Sequence, residues 1–79
     1  MQKVKAKLDF ETQFQYLTDY FSTLLAGRPD SVAAVLLATV RICSGGYRDD
    51  RDEFLYAFWR EYGWEKVLLA MTLAIERSK

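Results

Sequence analysis

The sequence predicts a compact all-α domain of four helices with short connections. Four apolar segments carry the spacing of amphipathic helices, and one proline and four glycines separate them. The 79 residues, of which 51% are apolar and 15% aromatic, suffice for one hydrophobic core, so 1–79 is predicted to be a single domain. The predicted helices cover residues 9–26, 30–44, 51–62 and 64–77.

The first helix is predicted from apolar residues at alternating spacings of four and three. These residues are Phe10, Phe14, Leu17, Phe21 and Leu24. The pattern is typical of an amphipathic helix with a narrow buried stripe. Gly27 is the predicted C-terminal cap, because glycine adopts the left-handed conformation without steric cost. Residues 1–8, with Lys3, Lys5 and Lys7, are predicted to form a flexible basic N-terminus.

The second helix is predicted to begin at residue 30, with Pro29 near the first turn and Asp30 as its cap or first-turn acid. One predicted face consists of Val32, Val35, Leu36, Val40 and Cys43. Alanines and Leu37 cover most of the other side. A helix that is apolar nearly all round is usually central, so this one is predicted to be the most buried.

The stretch "ICSGGYRDDRDEF" is predicted to join two helices. Gly45 and Gly46 stand where a C-terminal cap is expected, and Asp50 with Glu53 has the spacing of a capping box. Acids at a helix start are stabilised by its positive end. The stretch has neither the Gly-Lys-Ser/Thr ending of a phosphate loop nor the alternating ligands of a calcium loop.

The third and fourth helices are separated only by Gly63, which predicts a tight corner or a kink. The third is predicted to bury Phe54, Leu55, Phe58, Trp59 and Tyr62. The fourth is predicted to bury Trp64, Val67, Leu68, Met71, Ala74 and Ile75. The sequence leaves open whether these are two helices or one kinked helix.

Catalysis is not predicted, and neither is a cofactor or metal. The chain has no histidine, which removes the commonest general base and metal ligand near neutral pH. Cys43, without a histidine to activate it, is typical of a small buried hydrophobe. The single cysteine fits a reducing compartment, and the longest neutral run, 31–40, is too short to span a bilayer. A cytoplasmic protein with no membrane partner is predicted.

Nucleic-acid binding is the alternative prediction. The Gly63 corner could form a helix-turn-helix-like motif, and the N-terminal lysines could contact phosphates. However, eleven basic and eleven acidic residues give a net charge of zero, whereas a dedicated nucleic-acid binder is usually basic. The helix after Gly63 offers only Lys66 and Arg77 amid leucines. A nucleic-acid partner is therefore disfavoured.

Apolar and aromatic residues outside the predicted stripes favour a protein-interaction or regulatory module, such as an inhibitor or adaptor. Its partner is another protein or a second copy of the chain, and an acidic-aromatic face is one way for it to dock. Leu69 and Leu73 could belong either to the core or to an interface. The candidate partner-binding residues are Tyr16, Tyr20, Asp49, Asp50, Asp52, Glu53, Tyr56, Trp59, Arg60, Leu69 and Leu73.

Overall fold

The computed structural model of the protein is all-α, as predicted, and it describes residues 9–27 and 32–77. The described residues form α1 (Phe10–Gly27), α2 (Val32–Cys43) and α3 (Asp50–Arg77), and they contain no strand. None of these helices is both long enough and apolar enough to cross a membrane. The predictions for the N-terminal lysines in 1–8, and for Pro29 and Asp30, fall outside the described residues.

The prediction of four helices is wrong, because the third and fourth form one bent helix. α3 runs through Gly63, whose φ of 86° and ψ of 176° are not helical. This backbone conformation is essentially restricted to glycine. Gly63 therefore divides α3 into a first arm, residues 50–62, and a second arm, residues 64–77.

The bend at Gly63 is sharp, because both ends of α3 contact the same turn of α1. The Tyr20 hydroxyl donates to Asp52 Oδ1 at 2.8 Å, and Arg77 Nη1 donates to Asp19 Oδ1 at 3.0 Å. A straight helix would separate residues 52 and 77 by roughly 37 Å. The two arms therefore fold back on one another beside α1.

Aspartates cap the N-termini of α1 and α3. Asp9 Oδ1 accepts from the Thr12 amide at 2.8 Å. The Thr12 hydroxyl, and then this amide hydrogen bond, lower the pKa of the Asp9 carboxyl. At α3, Asp49 Oδ1 accepts from the Asp52 amide at 2.9 Å. The predicted capping box of Asp50 and Glu53 is therefore shifted by one residue. The cap is Asp49, and Asp50 lies in the first turn, where its charge still meets the positive helix end.

The C-terminus of α2 is closed by the two glycines that the sequence assigns to this role. The Gly46 amide donates to the Arg41 carbonyl at 2.9 Å, and the Gly45 amide donates to the Ile42 carbonyl at 3.0 Å. These are the paired hydrogen bonds of a Schellman motif. Gly45 has a φ of 105°, and a Cβ at Gly46 would lie 2.9 Å from Arg41 Cγ. Both positions therefore favour glycine.

The core lies mainly between α1 and the two arms of α3. α1 contributes Leu17, Phe21 and Leu25, and α3 contributes Leu55, Phe58, Val67, Ala70, Met71 and Ala74. The predicted stripe of α1 is confirmed in that each of its five residues is buried or packs against this core.

The prediction that α2 is the most buried helix is wrong. α2 buries only Val35, Thr39, Ile42 and Cys43. Three residues predicted on its buried face are exposed to 40–44%, namely Val32, Leu36 and Val40. α1 and the arms of α3 bury most of their apolar side chains against one another, so α2 packs on only one side of the core.

Candidate functional site

The structure places the predicted partner-binding residues in three separate regions. Between α1 and the start of α3 lie Tyr16, Tyr20, Asp49, Asp50 and Asp52. On the outer side of the first arm lie Glu53, Tyr56, Trp59 and Arg60. On the surface of the second arm lie Leu69 and Leu73.

The region between α1 and α3 holds the two helices together. It contains a groove of about 440 Å³ in which Tyr16, 54% exposed, makes a T-shaped ring contact with Phe54 at a centroid distance of 6.2 Å. Tyr20 is half-buried, and its hydroxyl donates a hydrogen bond to Asp52 Oδ1. Burial, and then this hydrogen bond, raise the pKa of Tyr20, so the hydroxyl stays protonated well beyond neutral pH.

Replacing Tyr20 with phenylalanine is expected to lower the free energy of unfolding by about 1 kcal/mol at pH 7, because the hydrogen bond to Asp52 is lost. The difference in unfolding free energy between wild type and variant should decrease as pH rises above 10, the ordinary pKa of tyrosine. Above this pH Tyr20 ionises in the unfolded chain but not in the folded one, which destabilises only the wild type. Urea unfolding at pH 7 and from pH 9 to 11 measures both effects. Tyr16→Phe, at an exposed position, is the control. A stability difference between wild type and Tyr20→Phe that stays constant from pH 9 to 11 would contradict the proposed role of the Tyr20 hydroxyl.

The acid cluster at the start of α3 has two different roles. Asp49 caps the helix, and Asp52 accepts from Tyr20 and, at 3.4 Å, from the Arg48 amide. Asp50 and Glu53 are exposed. Neutralising the whole cluster would therefore disturb the fold as well as any docking surface, so Glu53 is the more informative acid to replace.

The outer side of the first arm carries a continuous series of aromatic rings, here termed the aromatic row. It consists of Tyr47, Tyr56, Trp59 and Trp64. Successive ring centroids lie 5.0, 5.9 and 5.8 Å apart. The two end rings are exposed, at 41% and 37%, and the two middle rings are half-buried. The row therefore links the α2–α3 connection to the bend at Gly63.

Arg60 extends the aromatic row with a positive charge. Its Nη1 donates to the Tyr56 hydroxyl at 3.2 Å, and its guanidinium carbon lies 5.8 Å from the centroid of that ring. This is the geometry of a cation–π contact. A shallow depression of about 640 Å³ beside it is lined by Glu53 and Glu61. A second depression, of about 490 Å³, lies between Arg60 and Cys43 at the end of α2.

Two members of the aromatic row, Tyr47 and Trp64, are not among the partner-binding residues predicted from sequence. Tyr47 lies in the connection before α3, where helical periodicity assigns no face. Trp64 was predicted to face the core. It is the first residue after the bend, and a helical side chain leans toward the preceding turn, which the bend removes here. The available signal was the density of aromatic residues on both sides of Gly63.

Leu69 and Leu73 are exposed to 49% and 41%, so the structure places them on the surface and not in the core. At about 100° per residue they lie on the flank of the second arm that also carries Arg77, which binds Asp19 of α1. Lys66, the other basic residue of the second arm, is half-buried. The nucleic-acid alternative stays a prediction.

The one cysteine of the chain, Cys43, is buried at the end of α2. Burial raises the pKa of the Cys43 thiol to about 11, which keeps it protonated and unreactive at neutral pH. Within 9–27 and 32–77, no group of three or more acidic or cysteine side chains is arranged to hold a metal ion. Comparisons of the chain with models of protein families, with curated proteins and with solved structures find no match.

Proposed function

We propose that the protein is an interaction or regulatory module that docks on another protein through the aromatic row. It acts by occupying its partner's surface, as an inhibitor or an adaptor, and not by catalysis. The observation that carries this proposal is the unbroken series of ring contacts on the outer side of the first arm. Its ends, Tyr47 and Trp64, are exposed large side chains that add little to the core.

The composition of the row supports protein docking. Tyrosine, tryptophan and arginine are the residues that most often dominate the binding energy of protein interfaces. The rings and Arg60 are already held in place by their mutual contacts, so little side-chain freedom is lost on docking. Glu53 and Glu61 beside them favour a partner with positive charge, and such steering weakens with salt.

Replacing Tyr47 and Arg60 with alanine together is expected to weaken partner binding at least tenfold and leave the fold intact, because both residues are exposed. Tagged wild-type protein should retain one stoichiometric protein from its native cells, with or without nuclease, and the variant should lose it. Purified partner then allows a direct titration. Both tryptophans of the chain lie in the row, so their fluorescence reports docking.

Tyr16→Ala is the matched control, since it removes an exposed ring from the groove between α1 and α3. The control should bind as wild type does. Equal binding by the Tyr47/Arg60 variant would rule out the aromatic row as the docking surface. Material that disappears on nuclease treatment would instead support nucleic-acid binding.

A further inference from the structure

A second exposed surface, which shares no residue with the aromatic row, lies on α2. This α2 face consists of Val32, Ala33, Leu36, Leu37 and Val40. Its four large side chains are exposed to 40%, 41%, 66% and 44%. At about 100° per residue they span one side of the helix, and the charged residue of α2, Arg41, lies at its edge. A contiguous apolar helix face of this kind marks an interaction site.

We propose that the α2 face binds the α2 face of a second copy of the chain, in an antiparallel pair about a twofold axis. A twofold interface must be complementary to itself, and an uncharged apolar face meets this condition without any charge matching. The net charge of the chain is zero, so two copies do not repel one another at long range. Ala33, a small residue within the face, lets the two helices approach closely.

The available area agrees with a weak dimer. α2 has 12 residues and is about 18 Å long. Cys43 at its end shares a depression with Trp64 at the start of the second arm, so these two elements are neighbours. Leu68 is 42% exposed, and at about 100° per residue it lies on the same side of the second arm as Trp64. It therefore extends the apolar surface beyond α2. The exposed apolar surface of these two helices falls below the roughly 600 Å² per copy at the small end of stable interfaces, so the dimer should form only at high protein concentration.

The test is sedimentation velocity with light scattering from 1 µM to about 500 µM, concentrations that reach weak affinities. Wild type should shift from monomer to dimer. Leu36→Glu/Leu37→Lys, which leaves the net charge unchanged, should weaken dimerisation at least tenfold. Leu69→Glu/Leu73→Lys is the matched control on the opposite flank of the second arm and should dimerise as wild type does. Wild type that stays monomeric throughout would overturn the proposal, and so would an α2 variant that dimerises normally.

Cross-linking tests the same surface if the double variant does not fold. With Cys43→Ala as background, Leu37→Cys lies near the proposed twofold axis and should form a disulfide-linked dimer under mild oxidation. Leu73→Cys in the same background should react much more slowly. Equal rates at the two positions would overturn the proposal. The α2 face shares no residue with the aromatic row, so loss of self-association and loss of partner docking can be told apart.

Discussion

Gly63→Ala is expected to destabilise the bent monomer by about 1–3 kcal/mol, because an L-residue is strained at a φ of 86° and a ψ of 176°. A Cβ at this position would meet no atom within 4 Å, so the backbone conformation and not a clash causes the loss. Alanine also favours an uninterrupted helix. Urea unfolding measures the loss of stability.

The same substitution is expected to promote a domain-swapped dimer. A straight α3 of 28 residues cannot place Asp52 beside Tyr20 and Arg77 beside Asp19 of one α1. Straightening would uncover the apolar side of the second arm, and a second copy could cover it by exchange. Light scattering after refolding at high concentration measures the dimer fraction.

Gly63 replaced by D-alanine in chemically synthesised protein separates backbone strain from other effects. A D-residue adopts this φ and ψ readily, because they mirror an extended conformation of an L-residue. Its stability should match or exceed that of wild type, since it also restricts the unfolded chain. If the L-alanine variant were as stable and as monomeric as the D-alanine variant, the sharp bend at Gly63 would be contradicted.

The sequence predicted the helical segments well because their local signals agree. The α1 stripe, the glycines after Cys43 and the acids before Phe54 each describe a single helix or helix end. The number of helices was wrong by one because a glycine between two helical segments is compatible with a turn or with a bend. Only the contacts of Asp52 and Arg77 with α1 establish how far α3 folds back.

The surface of the molecule was harder to predict than its core. Periodicity shows that α2 is apolar on most sides, but it does not show how many neighbours are available to cover it. The arms of α3 enclose α1, so Leu36 and Leu37 remain exposed. For the aromatic row, the members on the first arm share a helix face, whereas Tyr47 and Trp64 join them only through the tertiary fold.

Phe58→Ala is expected to lower the free energy of unfolding by about 3–5 kcal/mol, the usual loss for a fully buried phenylalanine. Phe58 is 1% exposed, and its ring lies 4.7 Å from that of Tyr62 and 6.0 Å from that of Phe10. It therefore joins α1 to the first arm at the centre of the core. A domain of this size is stabilised by only about 4–12 kcal/mol, so the variant should be close to unfolding. Thermal unfolding followed by circular dichroism measures this loss.

Tyr16→Ala is the matched control for Phe58→Ala, since it removes a ring of similar size from a position that is 54% exposed. Its stability should fall by roughly 1 kcal/mol or less, because most of that ring already contacts water. Phe58→Leu should lie between the two, since leucine refills part of the cavity. If Phe58→Ala were no more damaging than Tyr16→Ala, α1 and the first arm could not enclose the main core. The exposure of α2 would then have to be explained differently. It follows here from the fact that α1 and the arms of α3 bury most of their apolar side chains against one another.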